Sequence, residues 1–507
     1  MAEQAAEREA RYRFGPLERR GLIAGWRGGQ IATVAAGLVI AIVVLHRRAT
    51  PWNVALALCA VLGGITLALW PLGGRTLEQW APTIARFGTE RTRGARRLSG
   101  AAAGGVRADG VPGAAAKADR GRRRWDRGPL GRLAICAADP RNGEGPGQDG
   151  SFAVVTDAMA RTTTAVLAIR GQSFSLLAAG DKQRRVSAWA GVLGALAREG
   201  SLVHRLQWLA RSLPDDGAPA RQFFAERARL DEHAPARRSY AALLAAVGAQ
   251  TTRHEVLLAV SIRADRTSAR ARRAEGGGSS GTIGLLRREI ATLQRLLDEA
   301  DITVDAVLDA TALASAMRRG FAAEPNWAAA QVPATGGTWP WPMALESGWS
   351  SLRADDTWHA TYWIAEWPRV EVSSEFLGPL LLGSVRRSVS VVMEPLAPAR
   401  AVRGVEHARI ADIADAELRS RGGFLATARR SRESDLVVQR EAELADGHGA
   451  FRFSGYVTVT ARSELLLGRA CDATEQAAGQ CRLELRRLFG DQERAFFCTF
   501  PLGRGLS

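Results

Sequence analysis

Lysine is almost missing from this chain, although the chain is strongly basic. Of its 68 lysine and arginine residues only Lys117 and Lys182 are lysines, and the formal net charge is +16. A P-loop needs the sequence Gly-Lys-Ser/Thr, because the lysine ammonium group must reach the β- and γ-phosphates. Lys117 follows Ala116 and Lys182 follows Asp181. The chain therefore has no Walker A motif, and we expect no nucleotide cofactor.

Cysteine and histidine are also scarce, and their spacing argues against a metal site. The five cysteines form no Cys-x-x-Cys pair, so neither a zinc site nor a disulfide framework is indicated. His254 and Glu255 begin a pattern typical of zinc proteases, but Leu258 occupies the position of the second histidine. We therefore predict no catalytic residue and no metal ligand, and a protein that is not an enzyme.

Two long uncharged stretches near the start of the chain predict a transmembrane hairpin over 28–74. The first helix is expected at 28–46 and includes IATVAAGLVIAIVVL; the second, at 53–73, reads NVALALCAVLGGITLALWPLG. Each approaches the length of about 20 residues that spans a bilayer. A cleaved signal peptide is the alternative for the first stretch, but a second span follows it at once. The predicted membrane-interface residues are Trp26, Trp52 and Trp70, since indole rings favour the headgroup layer.

The distribution of arginine predicts the orientation of this hairpin. The tail 1–27 holds six arginines, whereas the loop between the spans holds only Arg47 and Arg48. Short basic segments beside a span are retained in the cytoplasm. We therefore expect a protein of the cell (inner) membrane with two spans and both termini in the cytoplasm.

A basic segment follows the hairpin, and we interpret 75–128 as a juxtamembrane region and a flexible linker. Within 88–128, eleven lysine and arginine residues face four acidic residues, and large apolar residues are almost absent. Such a composition does not bury enough surface to offset the entropy of ordering. The same charges would suit anionic lipid or nucleic acid, and both alternatives stay open beside a solvated linker.

Beyond residue 128 the pattern changes to alternating strands and helices, which predicts a membrane-anchored α+β protein. We expect two cytoplasmic subdomains, 129–347 and 348–507, each with an antiparallel, ferredoxin-like sheet and helices on one side. The apolar stripe of one helix is predicted to face the core: Leu286, Ile290, Leu293 and Leu297.

Four other elements are specific enough to be tested. A β-hairpin is predicted over Thr162–Gly180 and a single helix over Ala218–Ala249. The run RAFFCTF near the C-terminus is predicted to be a strand. The strand at 355–370 has large apolar residues on both faces, which indicates burial on both sides or contact with a partner.

The N-terminal region around the hairpin and the body resemble two different components of conjugation systems. The segments YRFGPLERRGLIAGWRGGQ and WPLGGRTLEQWAP, which flank the hairpin, resemble PrgI-like (TcpE-like) membrane proteins of Gram-positive, particularly actinobacterial, conjugation systems. Four body segments resemble the non-catalytic N-terminal part of type IV secretion ATPases: QFFAERARLD, HATYWIAEWPR, RESDLVVQREAELADGHGAFRFSGYVTVTA and LFGDQERAFFCTFPLG.

This resemblance implies a scaffold that anchors a separate P-loop ATPase to a transfer channel. In those ATPases a turn like Pro501-Leu502-Gly503 precedes the motor domain, so the chain is expected to stop where the motor would begin. The implied docking residues are Trp363, Trp367, Pro501, Leu502 and Gly503. Other channel subunits and an oligomeric assembly are expected as well. Two alternatives remain, a type VII secretion membrane-complex subunit and a membrane-tethered nucleic-acid-binding protein.

Overall fold

The structure is a computed structural model of the 507-residue chain, and it divides into two compact units. The larger unit, called the body, comprises Met1–Phe14, Arg97–Val405 and Gln439–Ser507; the smaller, called the hairpin unit, comprises Gly15–Arg96 and Glu406–Val438. The structure describes residues 14, 28–47, 50–69, 77–92, 97–99, 133–138, 152–158, 160–171, 174–215, 217–229, 231, 233–248, 252–263, 265, 273, 278–322, 342, 344–421 and 428–506.

Two apolar helices dominate the hairpin unit, as the sequence predicts. Helix α1 spans Gly28–Arg47 and α2 spans Pro51–Leu69, and both are long and apolar enough to cross a membrane. A Cβ atom at Gly37 would lie 2.9 Å from the carbonyl oxygen of Ala60, so glycine allows the two helix backbones to approach closely. Helix α3 spans Leu77–Thr92, so the start of the predicted linker at residue 88 is helical.

The body is built mainly from antiparallel strands. Its described strands are β1 (Arg97–Ser99), β2 (Leu133–Ala138), β3 (Phe152–Asp157), β4 (Thr162–Arg170), β5 (Val203–Pro214), β6 (Thr252–Arg263), β7 (Thr303–Val307), β8 (Ala344–Ser347), β9 (Leu352–Ala354), β10 (Thr357–Glu366), β11 (Arg387–Pro395), β12 (Phe451–Ala461) and β13 (Glu484–Arg487). The longer strands, such as β4, β6 and β10, are rich in β-branched or aromatic residues, which favour strands.

Ten further helices occur along the described part of the chain, and most of α10 and α11 belongs to the hairpin unit. They are α4 (Ala179–Leu196), α5 (Ala218–Arg227), α6 (Pro235–Gly248), α7 (Gly278–Glu299), α8 (Ala310–Phe321), α9 (Gly378–Leu381), α10 (Pro398–Arg421), α11 (Ala428–Ala445), α12 (Glu464–Gln480) and α13 (Gln492–Phe496). Local capping explains two starts. The carboxylate of Asp309 accepts from Ala312 N at 2.8 Å ahead of α8, and the Ser463 hydroxyl accepts from Leu466 N at 3.3 Å ahead of α12.

The described strands form one continuous sheet rather than two separate ones. Their order is β1-β8-β9-β10-β12-β11-β5-β6-β4-β3-β2, with β13 beside β10 and β7 beside β4. Strand β5, from the first predicted subdomain, pairs antiparallel with β11 from the second, and Ala210 lies opposite Val389. The α+β class with antiparallel pairing is observed, but the ferredoxin-like arrangement is not confirmed. The boundary at residue 347 stays a prediction.

Helices cover both faces of the sheet, which corrects the expectation of helices on one side. Alternate residues of a strand point to opposite faces, and Leu206 and Leu209 of β5 belong to different core clusters. On the Leu209 face, α8 packs together with α13 and the residues that follow it. On the Leu206 face, α4 and α7 pack over β4 and β6, and α9 and α12 pack over β10 to β12.

Most predicted elements are present, and the core stripe of α7 is confirmed by the 0% exposure of Leu286, Ile290, Leu293 and Leu297. Three predictions are wrong. The second arm of the hairpin over Thr162–Gly180 is a single 3-10 turn at Phe174–Leu176. The helix over Ala218–Ala249 is two helices, because Pro235 disfavours helical backbone at Ala234. The run RAFFCTF is helical, in α13 and the 3-10 turn Phe497–Thr499.

Candidate functional site

Residues 497–506, here called the C-terminal strap, cross one face of the sheet and are held by a buried glutamine of β5. The Gln207 side chain is 0% exposed. Its amide nitrogen donates to Cys498 O at 2.9 Å and to Ser390 Oγ at 2.8 Å. Its carbonyl oxygen accepts from Leu502 N at 3.1 Å and from Gly503 N at 2.8 Å. Three of the four hydrogen bonds of this amide therefore fix the strap to the sheet, and the fourth joins β5 to β11.

Two arginines and a left-handed glycine fix the end of the strap. Arg205 donates to Gly503 O at 3.1 Å and to Leu506 O at 2.6 Å. The guanidinium of Arg504 lies 2.7 Å from the Asp157 carboxylate. Gly503 has φ +64°, and a Cβ atom there would collide with the hydroxyl of Ser261. The close approach of the strap to the sheet therefore requires glycine at this position.

A buried ion cluster lies beside the strap. The Arg211 side chain is 1% exposed, and its guanidinium lies 3.5 Å from the Glu255 carboxylate, which also contacts Arg319. Arg211 donates to Ala316 O at 2.6 Å and to Thr499 O at 3.3 Å. Burial lowers the pKa of Arg211 to about 10, and the nearby Glu255 carboxylate opposes that shift. The cluster therefore joins β5, β6, α8 and the strap with one buried cation.

A buried histidine in β10 should make the body sensitive to acid. Burial, and then the charge of Arg386, lower the pKa of His359 to about 3. The unfolded chain, with a histidine pKa of about 6.5, binds more protons below that pH, so stability falls as the pH drops. We expect a loss of about 2 kcal/mol at pH 5 from this residue alone.

The matched variant for this expectation is His359→Phe, since the imidazole ring lies 4.5 Å from the ring of Phe496 and phenylalanine keeps an aromatic group there. Thermal unfolding followed at neutral and mildly acidic pH should show a smaller acid-induced loss in the variant. Equal losses in both proteins would contradict the assignment.

An open apolar cleft of about 420 Å³ lies on the opposite face of the sheet from the strap. Its floor is formed by β4, β5, β6 and β11, and α4 contributes one wall. The lining includes Ile169, Trp189, Trp208, Val256, Val391 and Met393. None of the described residues that line it has an ionisable side chain, and these residues offer mainly apolar contact.

A metal site requires a group of ligand side chains, and a reactive thiol requires a lowered pKa. No group of three or more His, Cys, Asp or Glu side chains among them is placed to hold a metal ion. Burial raises the pKa values of the Cys471 and Cys481 thiols and raises that of Cys498 to about 12. The thiolate is the reactive form of cysteine, so these three thiols are poor nucleophiles at neutral pH.

The family comparison matches a segment in the middle of the chain. Residues 250–364 match the model of a family described as EccE, a putative type VII ESX secretion system translocon. This segment runs from β6 through α7 and α8 almost to the end of β10, and it contains Glu255, Arg319 and His359. No curated protein matches the chain.

This match contradicts the family resemblance that was inferred from the sequence. The resemblance to PrgI-like conjugation proteins and to the N-terminal part of type IV secretion ATPases is wrong, because the family model that matches residues 250–364 describes a putative type VII secretion component. The predicted assignment to conjugation and type IV secretion is wrong for the same reason. The stated alternative, a type VII secretion membrane-complex subunit, agrees better with the match.

The predicted docking residues lie inside the body. Pro501, Leu502 and Gly503 are buried in the strap, where their backbone is held by Gln207. Trp367 is 7% exposed and packs against Phe14 and Phe453, at ring-centroid distances of 5.2 and 5.3 Å.

Trp363 is half-buried and donates its indole N–H to Ser454 Oγ at 3.0 Å. In the folded body, Trp363 is thus partly accessible, whereas the other four predicted docking residues are buried. Their role in docking a partner stays a prediction.

The predicted membrane-interface tryptophans are described only in part. Trp52 lies in the first turn of α2 and is 76% exposed. Trp26 and Trp70 lie outside the described residues, as does most of the basic segment 88–128. Their predicted contacts with headgroups or anionic lipid stay predictions.

Proposed function

We propose that this protein is a membrane-complex subunit of a type VII secretion system. The observation that carries the proposal is the match of residues 250–364 to the EccE family of putative translocon components. The two membrane-length helices α1 and α2 support a membrane location for such a subunit. We further propose two spans, with both chain termini in the cytoplasm, from the arginine distribution.

The proposed role is structural rather than enzymatic. Gln207 and Arg211, two of the buried polar residues at the centre of the sheet, hydrogen-bond to the strap or to neighbouring elements. Such bonds hold the body in one conformation instead of acting on a substrate. The partners we propose are the other membrane subunits of the translocon, arranged in an oligomeric assembly.

The proposal is tested in a strain that encodes a type VII system and from which this gene is deleted. We expect export of the system's substrates into the medium to be lost, while their cell-associated amounts persist. The wild-type gene should restore export, and a gene lacking 28–74 should not. Unchanged export in the deletion strain would reject the assignment.

A second readout identifies the partners directly. The tagged full-length protein is purified from detergent-solubilised native membranes, and the proteins in the complex are identified by mass spectrometry after native gel electrophoresis. Other type VII membrane subunits should migrate with it. Recovery of nucleic acid, lost when 88–128 is deleted, would instead favour the tethered nucleic-acid-binding alternative.

A further inference from the structure

The connection between β5 and β6 is much longer than the sheet requires. These strands are antiparallel neighbours, and Pro214 lies directly opposite Thr252 at their ends. A tight turn of two residues is enough to join such a pair. Instead, residues 215–251 intervene and form α5 and α6, here together called the helical arm.

The helical arm does not contribute to the described core. The Phe224 and Tyr240 rings pack against each other at a centroid distance of 5.0 Å and join α5 to α6. None of the arm residues whose burial is described is buried. Helix α7, by contrast, buries its whole apolar stripe against the sheet. The arm is therefore a surface feature whose apolar residues have a use other than stabilising the core.

Helix α6 carries an apolar stripe that the body leaves uncovered. Tyr240, Leu243 and Leu244 follow the spacing i, i+3 and i+4, which places them on one helical face. Tyr240 is 49% exposed and Leu243 is 55% exposed. On the neighbouring helix, Phe223 is 59% exposed. An aromatic and aliphatic surface of this kind is typical of an interaction site.

The charged residues of helices α5 and α6 indicate which kind of partner the arm binds. Helices α5 and α6 contain four arginines and one glutamate, and α6 has no acidic residue. The segments around the two helices add four acidic residues and one arginine, so the positive charge is confined to the helices. The Arg227 guanidinium lies 5.0 Å from the centre of the Phe223 ring, and that of Arg237 lies 6.0 Å from the Phe224 ring. Arginine next to exposed aromatic and leucine side chains is the pattern of helices that lie on anionic membrane surfaces.

We propose that the helical arm binds the anionic lipid surface of the membrane. The Tyr240 and Leu243 side chains would lie at the boundary between the lipid headgroups and the acyl chains. Charge complementarity favours an anionic membrane as the partner, because lipid phosphates are negatively charged and the charged residues of α6 are Arg237 and Arg238. A bilayer is also within the reach of this chain, which carries two membrane-length helices. The arm would be a second, reversible membrane contact of the body. An acidic protein partner is the competing outcome.

The test places a fluorescent label on the stripe of the full-length protein. Leu243→Cys is introduced into a Cys59→Ala parent, labelled with bimane, and reconstituted in nanodiscs that contain brominated phosphatidylcholine, with or without phosphatidylglycerol. We expect quenching at position 243 to be strong in anionic discs and weak in neutral ones, and to diminish with salt. The labelled parent measures background from the remaining native thiols.

Leu465→Cys is the matched control, since Leu465 is an exposed leucine at 70% on α12. Its label should be quenched weakly in both kinds of disc. The pair Arg237→Gln and Arg238→Gln should lower the equilibrium constant for lipid contact at position 243 roughly fivefold per arginine.

Three outcomes would overturn the proposal. They are equal quenching at positions 243 and 465 in anionic discs, quenching at 243 that does not depend on phosphatidylglycerol, and protection of the 243 label only when other subunits of the complex are added. The last would identify the arm as a protein-docking surface instead.

Discussion

Replacing Glu255 with glutamine is expected to destabilise the body by about 3–5 kcal/mol, because the substitution leaves a buried guanidinium without its counter-charge. Arg211 is 1% exposed, and its nearest carboxylate is that of Glu255 at 3.5 Å. Arg319 is 34% exposed on its side chain and has access to water after the change. The midpoint of thermal unfolding of the full-length protein in detergent should fall clearly.

Glu366→Gln is the matched control for this charge effect. Glu366 pairs with Arg369 at 2.6 Å, but the two side chains are 38% and 48% exposed, so the loss should stay below about 1 kcal/mol. A variant that replaces both Arg211 and Glu255 with apolar residues of similar size should recover much of the stability. Similar midpoints for Glu255→Gln and Glu366→Gln would show that Arg211 does not depend on this carboxylate.

Truncating Phe500 to alanine should release the strap from the sheet. Phe500 is 1% exposed, and its ring centroid lies 4.7 Å from that of Phe321 and 4.9 Å from that of Phe496. The Arg211 guanidinium also lies 5.4 Å from the ring. Loss of this buried aromatic group should cost about 3–5 kcal/mol in unfolding free energy.

Phe223→Ala provides the control, since Phe223 is 59% exposed on the helical arm and its truncation should change stability by about 0.5 kcal/mol or less. Limited proteolysis gives a second readout, because a released strap should be cleaved near the C-terminus before the rest of the body. If Phe500→Ala matches Phe223→Ala in both measurements, the strap does not contribute to the folded core.

Local periodicity predicted the apolar stripe of α7 but not the structure of the C-terminal run, because the pattern is informative only when it repeats over several turns. The Leu286 stripe is a repeat over several turns, and such a pattern leaves little choice of structure. The run RAFFCTF is short, and its aromatic content favoured a strand. Phe496 and Phe500, however, are four residues apart, and both pack in the same cluster together with Phe497. A strand would have placed Phe496 and Phe497 on opposite faces.

The candidate site was mostly missed by sequence reasoning. Gln207 and Arg211 share one face of β5, and alternation with Leu206 and Trp208 on the other face would predict that these polar residues meet solvent. The local sequence does not show that the C-terminal strap covers them. Their partners are distant in sequence, such as Gly503 for Gln207. The docking role of Trp363, Trp367, Pro501, Leu502 and Gly503 stays a prediction, and only the tertiary structure shows that four of them are buried.

By itself the sequence determined the two apolar helices, the absence of a Walker A lysine and the antiparallel α+β class. These features depend on composition and on short periodic patterns, which neighbouring residues specify directly. Only the tertiary structure decided that β5 pairs with β11, that the C-terminal strap is sealed onto Gln207, and that the stripe of α6 is left uncovered. Such contacts join residues hundreds of positions apart, so their pairing depends on the packing of the whole sheet rather than on any local pattern.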